Sequence, residues 1–247
     1  LNAPETFNAW TLFTRSLRVT FGTLLNTLGL LFIFGILPVG LWIAWVATTG
    51  DDVPEEVLGI SCLLVAVLLV GTAPLLMAGI SYSAFHYLRG RKISLGRCLR
   101  ETLPCYFKVL VTLLSVGFLG FAGYMLCIVP GIIIIVGLYL AVPIATVERL
   151  SMPMALKRSW ALTEGYRLSL FLFLLLMSVI NYVFVIPMSL LESVEGGEVA
   201  TGALAVVALP VMLLVSLVSI VSYGVAYFDL RHLQEGDLDE NVVDVFE

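Results

Sequence analysis

Residues 130–167 read PGIIIIVGLYLAVPIATVERLSMPMALKRSWALTEGYR, and the number of membrane crossings turns on them. A helix needs roughly 20 mostly apolar residues to cross the hydrocarbon core. The apolar run at 132–147 falls short of that, and it contains a helix-disrupting proline, Pro143. It makes a credible span only as the second arm of a hairpin with residues 109–129, through the uncharged turn Val129-Pro130-Gly131. A re-entrant pair is the alternative. It would put Arg149, Lys157, Arg158 and Arg167 on the opposite side of the membrane from the other bases. The run is therefore read as the fourth of six spans.

The other five lie at 23–48, 57–87, 109–129, 168–190 and 199–228. Hydrophobic residues make up 60% of the 247-residue chain and charged residues 13%, against about 25% in soluble proteins. All 13 Lys and Arg then fall on one side of the lipid. Arg15 and Arg18 precede the first span, and Arg89, Arg91, Lys92, Arg97, Arg100 and Lys108 follow the second. Arg149, Lys157, Arg158 and Arg167 follow the fourth, and Arg231 follows the sixth. The intervening loops carry Asp51, Asp52, Glu55 and Glu56, then no charge, then Glu192, Glu195 and Glu198. Short loops rich in Lys and Arg stay cytoplasmic, so both termini are expected in the cytoplasm. The net charge of −5 says little about partners, because the two faces have opposite character, and no nucleic-acid partner is expected.

Aromatic residues fall where interfaces should be: Trp42 and Trp45 outside, Trp10, Tyr106, Trp160, Tyr166 and Tyr227 inside. The first apolar segment is too long for a cleavable signal, and a first residue other than Met suggests a trimmed N-terminus. Cys62, Cys98, Cys105 and Cys127 read as free thiols used as small apolar residues, since a cytoplasmic setting keeps thiols reduced.

The chain repeats one plan three times, over about 7–87, 93–147 and 152–228, within a single transmembrane domain. Each unit is a short basic amphipathic segment followed by a helical hairpin. The lead-in segments read AWTLFTRSLRVTF, RCLRETLPCYFKVL and ALKRSWALTEGYRLSL. In the third, Ser151 can cap the helix, Pro153 suits the first turn and Gly165 offers a stop. Met152, Leu156 and Trp160 share one face, with Lys157, Arg158 and Glu164 off it. Such a helix should lie in the interface with its bases toward headgroups.

Two stretches carry a resemblance. One is the 130–167 run, with its Pro-Gly turn, second proline and Ala-Leu-x-x-Ser-Trp-x-Leu-Thr-x-Gly pattern. The other is AYFDLRHLQEGDLDE at 226–240, where the last span leads into an acidic tail, 229–247. Together they resemble the YciC-like family and the membrane domain attached to some glycerophosphoryl diester phosphodiesterases. The resemblance covers about a fifth of the chain. It implies a six-helix bacterial inner-membrane module without catalytic residues, since the phosphodiesterase chemistry of fused members belongs to a separate soluble domain. No loop between the spans is long enough to hold that domain.

No catalytic, cofactor or metal site is expected. His86 and His232 lack nucleophiles or co-ligands nearby, and HExxH, GxSxG, P-loop and dinucleotide fingerprints are missing. No ionisable residue falls near a bilayer midplane, which weakens coupled transport. Asn26 and Asn181 are expected to hydrogen-bond between helices. Prolines interrupt five spans at Pro38, Pro74, Pro143, Pro187 and Pro210, and Pro143 is the candidate kink. Gly117, Gly120 and Gly123 form a candidate packing or partner seam. Glu148 and Arg149 with Lys157 and Arg158 can form ion pairs at the inner face. Alternatively Arg149, Lys157, Arg158 and Arg167, with Arg97 and Arg100, contact anionic headgroups. On that reading, Lys157→Glu with Arg158→Glu lowers lipid retention without unfolding the bundle.

The expectation is thus an all-α integral membrane protein, six transmembrane helices in three hairpins, each preceded by a short amphipathic interfacial helix. Three roles fit a non-enzymatic chain: an accessory or scaffolding subunit bound to another membrane protein or to itself, an anionic-lipid-handling protein of the envelope, or a small-molecule or lipid transporter. An exposed apolar groove between hairpins would favour lipid handling; a rigid bundle with one small-residue face would favour a scaffold.

Overall fold

The computed structural model describes residues 7–49, 54–91, 93–192 and 198–236, and among them every regular element is helical. Asp51, Asp52, Lys92, Glu195 and the tail beyond 236 lie outside the described residues. Six helical runs are long and apolar enough to cross a membrane: Leu24–Thr49, Glu56–Leu88, Leu95–Leu126, Ile128–Val147, Arg167–Pro187 and Pro210–Glu235. The chain has the make-up of a multi-pass membrane protein.

Helix α1 (Ala9–Gly22) ends at Thr23, where the backbone leaves the helical region, and α2 (Leu24–Leu31) begins the first run. A π-helical turn, Phe32–Ile36, joins α2 to α3 (Leu37–Thr49). Its cause is Pro38, which has no N–H for the carbonyl one turn earlier. That carbonyl, Phe34, accepts a hydrogen bond from Thr72 Oγ1 at 3.2 Å, so the neighbouring helix supplies the missing donor. Thr72 belongs to α4 (Glu55–Leu88), which contains Pro74. There the Tyr106 hydroxyl donates to the Gly71 carbonyl at 2.9 Å.

Helix α5 (Leu95–Thr102) is short and leads through a tight turn, Leu103–Cys105, into α6 (Tyr106–Leu126). The chain reverses at Cys127, which is extended (φ −171°, ψ 153°), and α7 (Ile128–Gly137) starts immediately. The expected turn at Val129-Pro130-Gly131 is therefore displaced. Pro130 sits in the first turn of α7, where a proline costs no helical hydrogen bond. Gly131 is a contact residue: a Cβ there would lie 2.8 Å from the Tyr124 backbone nitrogen.

Residues 138–140 break the fourth run before α8 (Ala141–Val147). Helix α9 (Met152–Leu162) follows, then α10 (Arg167–Glu192) and α11 (Glu198–Glu235). On α9, Met152 and Leu156 are half-buried and Trp160 is exposed. The helix buries Ala155, Ser159 and Leu162. Ser159 Oγ accepts from the Leu140 N–H at 3.1 Å and donates to the Gly137 carbonyl at 2.9 Å, and Thr163 Oγ1 also donates to that carbonyl at 3.2 Å. Helix α9 and its C-cap thus supply side-chain partners for the backbone groups that the break exposes. A Cβ on Gly137 would lie 2.5 Å from the Trp160 ring, so only glycine admits that indole.

The shared core lies at the end of the bundle that holds α1, α5, α9 and the described Lys and Arg residues, here termed the basic end. All six residues from Ala141 to Thr146 are buried there, with Tyr227, Leu230 and Leu12. Gly224 lets α11 close on α4, where a Cβ would lie 2.7 Å from the Ser81 carbonyl oxygen. Away from that end packing thins: α3 buries nothing, and among the described side chains α4 buries none before Pro74. In their most apolar stretches 61% of the fourth run is buried but 6% of the first. The fourth run is the hub.

Candidate functional site at the basic end

Three helix ends meet at the basic end and bring five polar side chains into a closed ring. Tyr227, Arg231 and Glu235 are spaced four apart and share one face of α11. Glu148 caps the end of α8, and Arg158 projects from α9. Glu148 Oε1 accepts from Arg158 Nε and from the Tyr227 hydroxyl, both at 2.7 Å. Arg158 also pairs with Glu235 at 2.7 Å, Arg231 pairs with Glu235 at 3.2 Å, and Arg231 donates to the Tyr227 oxygen at 3.2 Å. Partial burial acts to lower the Arg158 pKa. The hydrogen bonds and attraction of Glu148 and Glu235 outweigh it and hold that pKa above its ordinary value.

A second pair joins α1 to α11: Arg15 lies 3.0 Å from Asp229 Oδ1, and the Asp229 side chain is 1% exposed. A base of the first lead-in helix therefore faces the core and not the headgroups. Arg149, with a left-handed φ of 54°, pairs with Glu101 at 2.6 Å, and its carbonyl accepts from Lys108 Nζ at 2.7 Å. Arg167 stacks its guanidinium 4.1 Å from the Trp160 ring centroid and donates to the Trp160 carbonyl at 3.1 Å. Of the bases singled out for headgroups, Arg149, Arg158 and Arg167 are thus engaged within the protein. Lys157 is exposed. Arg97 and Arg100 line an open depression of about 410 Å³ with Gly96 and Glu101. Because Arg158 closes the ring, its reversal to Glu attacks the fold itself, and the double charge reversal with Lys157 does not isolate lipid binding.

The glycine seam divides. A Cβ on Gly123 would lie 2.8 Å from Gly131 Cα, and one on Gly120 would lie 3.0 Å from Ile135, so both set the approach of α6 to α7. Gly117 has nothing within 4 Å and is exposed. Pro143 lies in the first turn of α8, and the break it accompanies is at 138–140, one turn earlier. Asn26 Nδ2 donates to the Ile93 carbonyl at 2.6 Å, so it ties α2 to the non-helical segment before α5 and not to another helix. Asn181 instead donates to Met177 in its own helix at 3.0 Å.

Sequence reasoning missed Tyr227, Arg231 and Glu235 as one cluster. Their spacing was a usable signal, masked by assigning Glu235 to the solvated tail. Among the described residues no three His, Cys, Asp or Glu side chains come together as a metal site would require. What this end does chemically is lock helices and present a few unengaged bases. No family model, curated protein or solved structure matches the chain.

Proposed function

We propose that this chain is a bacterial inner-membrane protein with both termini cytoplasmic that handles anionic lipid between its helical hairpins. In this reading residues 24–88, 106–147 and 167–235 are three hairpins. Helices α1, α5 and α9 are their amphipathic lead-ins at the cytoplasmic face.

The supporting observation is the contrast between a packed basic end and the exposed far half of the first hairpin. In lipid, apolar surface alone does not draw helices together; close approach at small residues and hydrogen bonds does. Most of those devices gather at the basic half, at Gly79, Gly137, Gly224, Ser159 and the ion-pair ring, while Gly120, Gly123 and Gly131 join α6 to α7 toward the other end. In the far half of the first hairpin, Gly40 and Gly59 have nothing within 4 Å, and Leu41, Leu63, Leu64 and Val67 are exposed. Acyl chains cover such walls in a membrane. A lipid seated between hairpins would meet the closed, positively charged end with its headgroup, near Arg97, Arg100 and Lys157, each attracting an anionic surface by about 1 kcal/mol.

Native mass spectrometry after lipid-preserving extraction tests this reading. Anionic phospholipid retained in fixed stoichiometry is expected. A second protein retained without lipid would replace lipid handling with the accessory-subunit role. The same open Gly40 and Gly59 face favours that second reading, since it offers a partner helix a close approach.

A further inference from the structure

A small polar pocket of about 170 Å³ lies where α1 meets the first apolar run, lined by Gly22, Thr23, Asn26, Ser83, Tyr87 and Arg91 among others. Its walls are pinned from both sides. Gly90, at φ +74°, ends α4; its N–H bonds the Tyr87 carbonyl and the Arg91 N–H bonds the His86 carbonyl, each at 3.0 Å. These are the two bonds of a Schellman turn, and they set Arg91 directly beyond the helix end. The Asn26 side chain then holds the Ile93 carbonyl at 2.6 Å, tying the segment after Arg91 to α2. On the opposite wall the Tyr87 phenol rests on Gly22. A Cβ there would lie 2.2 Å from Cζ and 2.3 Å from the hydroxyl oxygen.

The donors divide into used and unused. Thr23 Oγ1 is bonded to the Val19 carbonyl at 2.9 Å, and Ser83 Oγ lies 3.4 Å from Cys98 Sγ. The Tyr87 hydroxyl and the Arg91 guanidinium have no side-chain hydrogen bond or ion pair among the described residues. No carboxylate lines the pocket. Arg18, exposed one turn before Gly22 on the same face of α1, adds a second positive charge nearby. Immediately beside this polar site Leu25 is 90% exposed and Phe21 59%.

We infer that this pocket binds the phosphate of a phosphodiester, held by Arg91 and Tyr87. The guanidinium offers the planar pair of N–H donors that suits phosphate oxygens, and the phenol adds a third donor. The source is a membrane lipid. Leu25 and Phe21 place apolar surface next to the phosphate, which an acyl chain uses and a free phosphate does not. The inference rests on the lipid-handling reading and gives it a second, more defined contact than the open depression at Arg97 and Arg100.

The test titrates the full chain in neutral detergent with short-chain phosphatidylglycerol, with and without millimolar inorganic phosphate. Arg91→Gln should weaken lipid binding about tenfold, the scale of one charge-assisted hydrogen bond. Tyr87→Phe should weaken it several-fold. Gly22→Ala should do the same by displacing the phenol with no change of charge, and Lys108→Gln, which removes an exposed charge outside both proposed headgroup contacts, should leave the Kd within about twofold. Each variant's Tm is read alongside; were Gly22→Ala to unfold, the two side-chain variants carry the test. Inorganic phosphate that fails to compete assigns the site to lipid, and competition at millimolar levels overturns that assignment in favour of free phosphate. Lipid binding by the parent that neither Arg91→Gln nor Tyr87→Phe weakens refutes the site alone. Equal losses in Arg91→Gln and Lys108→Gln also refute it, as diffuse charge attraction. A parent that binds no phosphatidylglycerol removes the lipid-handling reading as well.

Discussion

Removing Arg15 should cost far more than removing its partner Asp229. The two side chains lie 3.0 Å apart, with 17% of the arginine and 1% of the aspartate exposed. Arg15→Met strips the Asp229 carboxyl of its partner in the packed seam of α1 and α11; that costs about 3–5 kcal/mol at an alkaline pH that keeps it charged, the condition of the melts below, and less where it takes up a proton. Asp229→Asn leaves the arginine, whose long stem can carry the guanidinium toward water, so about 1–2 kcal/mol is expected. Replacing both, Arg15→Met with Asp229→Leu, leaves no stranded charge and should recover most of the loss. Thermal unfolding in mild detergent reads these differences at roughly 2–4 °C per kcal/mol for a chain of this size. Arg15→Met should lower Tm by about 10 °C, Asp229→Asn by about 4 °C, and the double variant by about 3 °C or less. Equal losses in the two single variants, or additive loss in the double, would refute the argument that desolvation of Asp229 sets the cost.

Other outcomes follow from the packing. Gly137→Ala drives a methyl to 2.5 Å from the Trp160 ring and should destabilise by about 1–3 kcal/mol. Gly117→Ala meets open space and should hold or raise Tm by helix propensity, up to about 1 kcal/mol. Glu148→Gln weakens the bonds from Arg158 and Tyr227 and should cost about 1–3 kcal/mol in the same melts. Arg158→Glu should cost more, because it sets three carboxylates together, whereas Lys157→Glu should leave Tm unchanged and weaken anionic-vesicle binding only at low salt. Thr72→Val leaves the Phe34 carbonyl unpaired in the apolar layer and should cost about 0.6–1.7 kcal/mol.

Helical class and the six apolar runs were legible in hydropathy, because a membrane span is a local property of composition and length. Contacts were not. Pro130 reads equally as a turn residue or as a first-turn helix residue, and the choice fell to Gly131, which must meet Tyr124 and Gly123. The glycine seam failed for a geometric reason. Three residues advance a helix by roughly 300°, so a spacing of three drifts sideways, and Gly117 ends well off the face that Gly120 and Gly123 share. Helix α9 showed its amphipathic pattern, but small Ala155 and Ser159 were the buried ones, selected by a break in another helix that periodicity does not reveal. The ring was half visible. Glu148 and Arg158 were paired on sequence proximity, while Glu235 was lost to the tail because α11 runs on past its apolar stretch.

The basic residues carry two duties that act at different times. Orientation responds to Lys and Arg counted in short loops as each segment inserts, before distant helices have met. Arg15, Arg149, Arg158 and Arg231 are then free to turn inward, and each finds a carboxylate: Asp229, Glu101, Glu148 with Glu235, and Glu235. Asp229, Glu101 and Glu235 lie far along the chain from Arg15, Arg149 and Arg158, so those pairs form only once distant segments dock, whereas Arg231 and Glu235 pair within one turn of α11. On the proposed orientation, the charges that anchor the topology become the bonds that close the bundle at the cytoplasmic face. Lipid-facing hydrophobicity cannot supply that closure, because leaving lipid for protein gains an apolar side chain little. The far half of the first hairpin has few such bonds and stays exposed, and of the bases not consumed Arg91 is the one proposed to meet a phosphate.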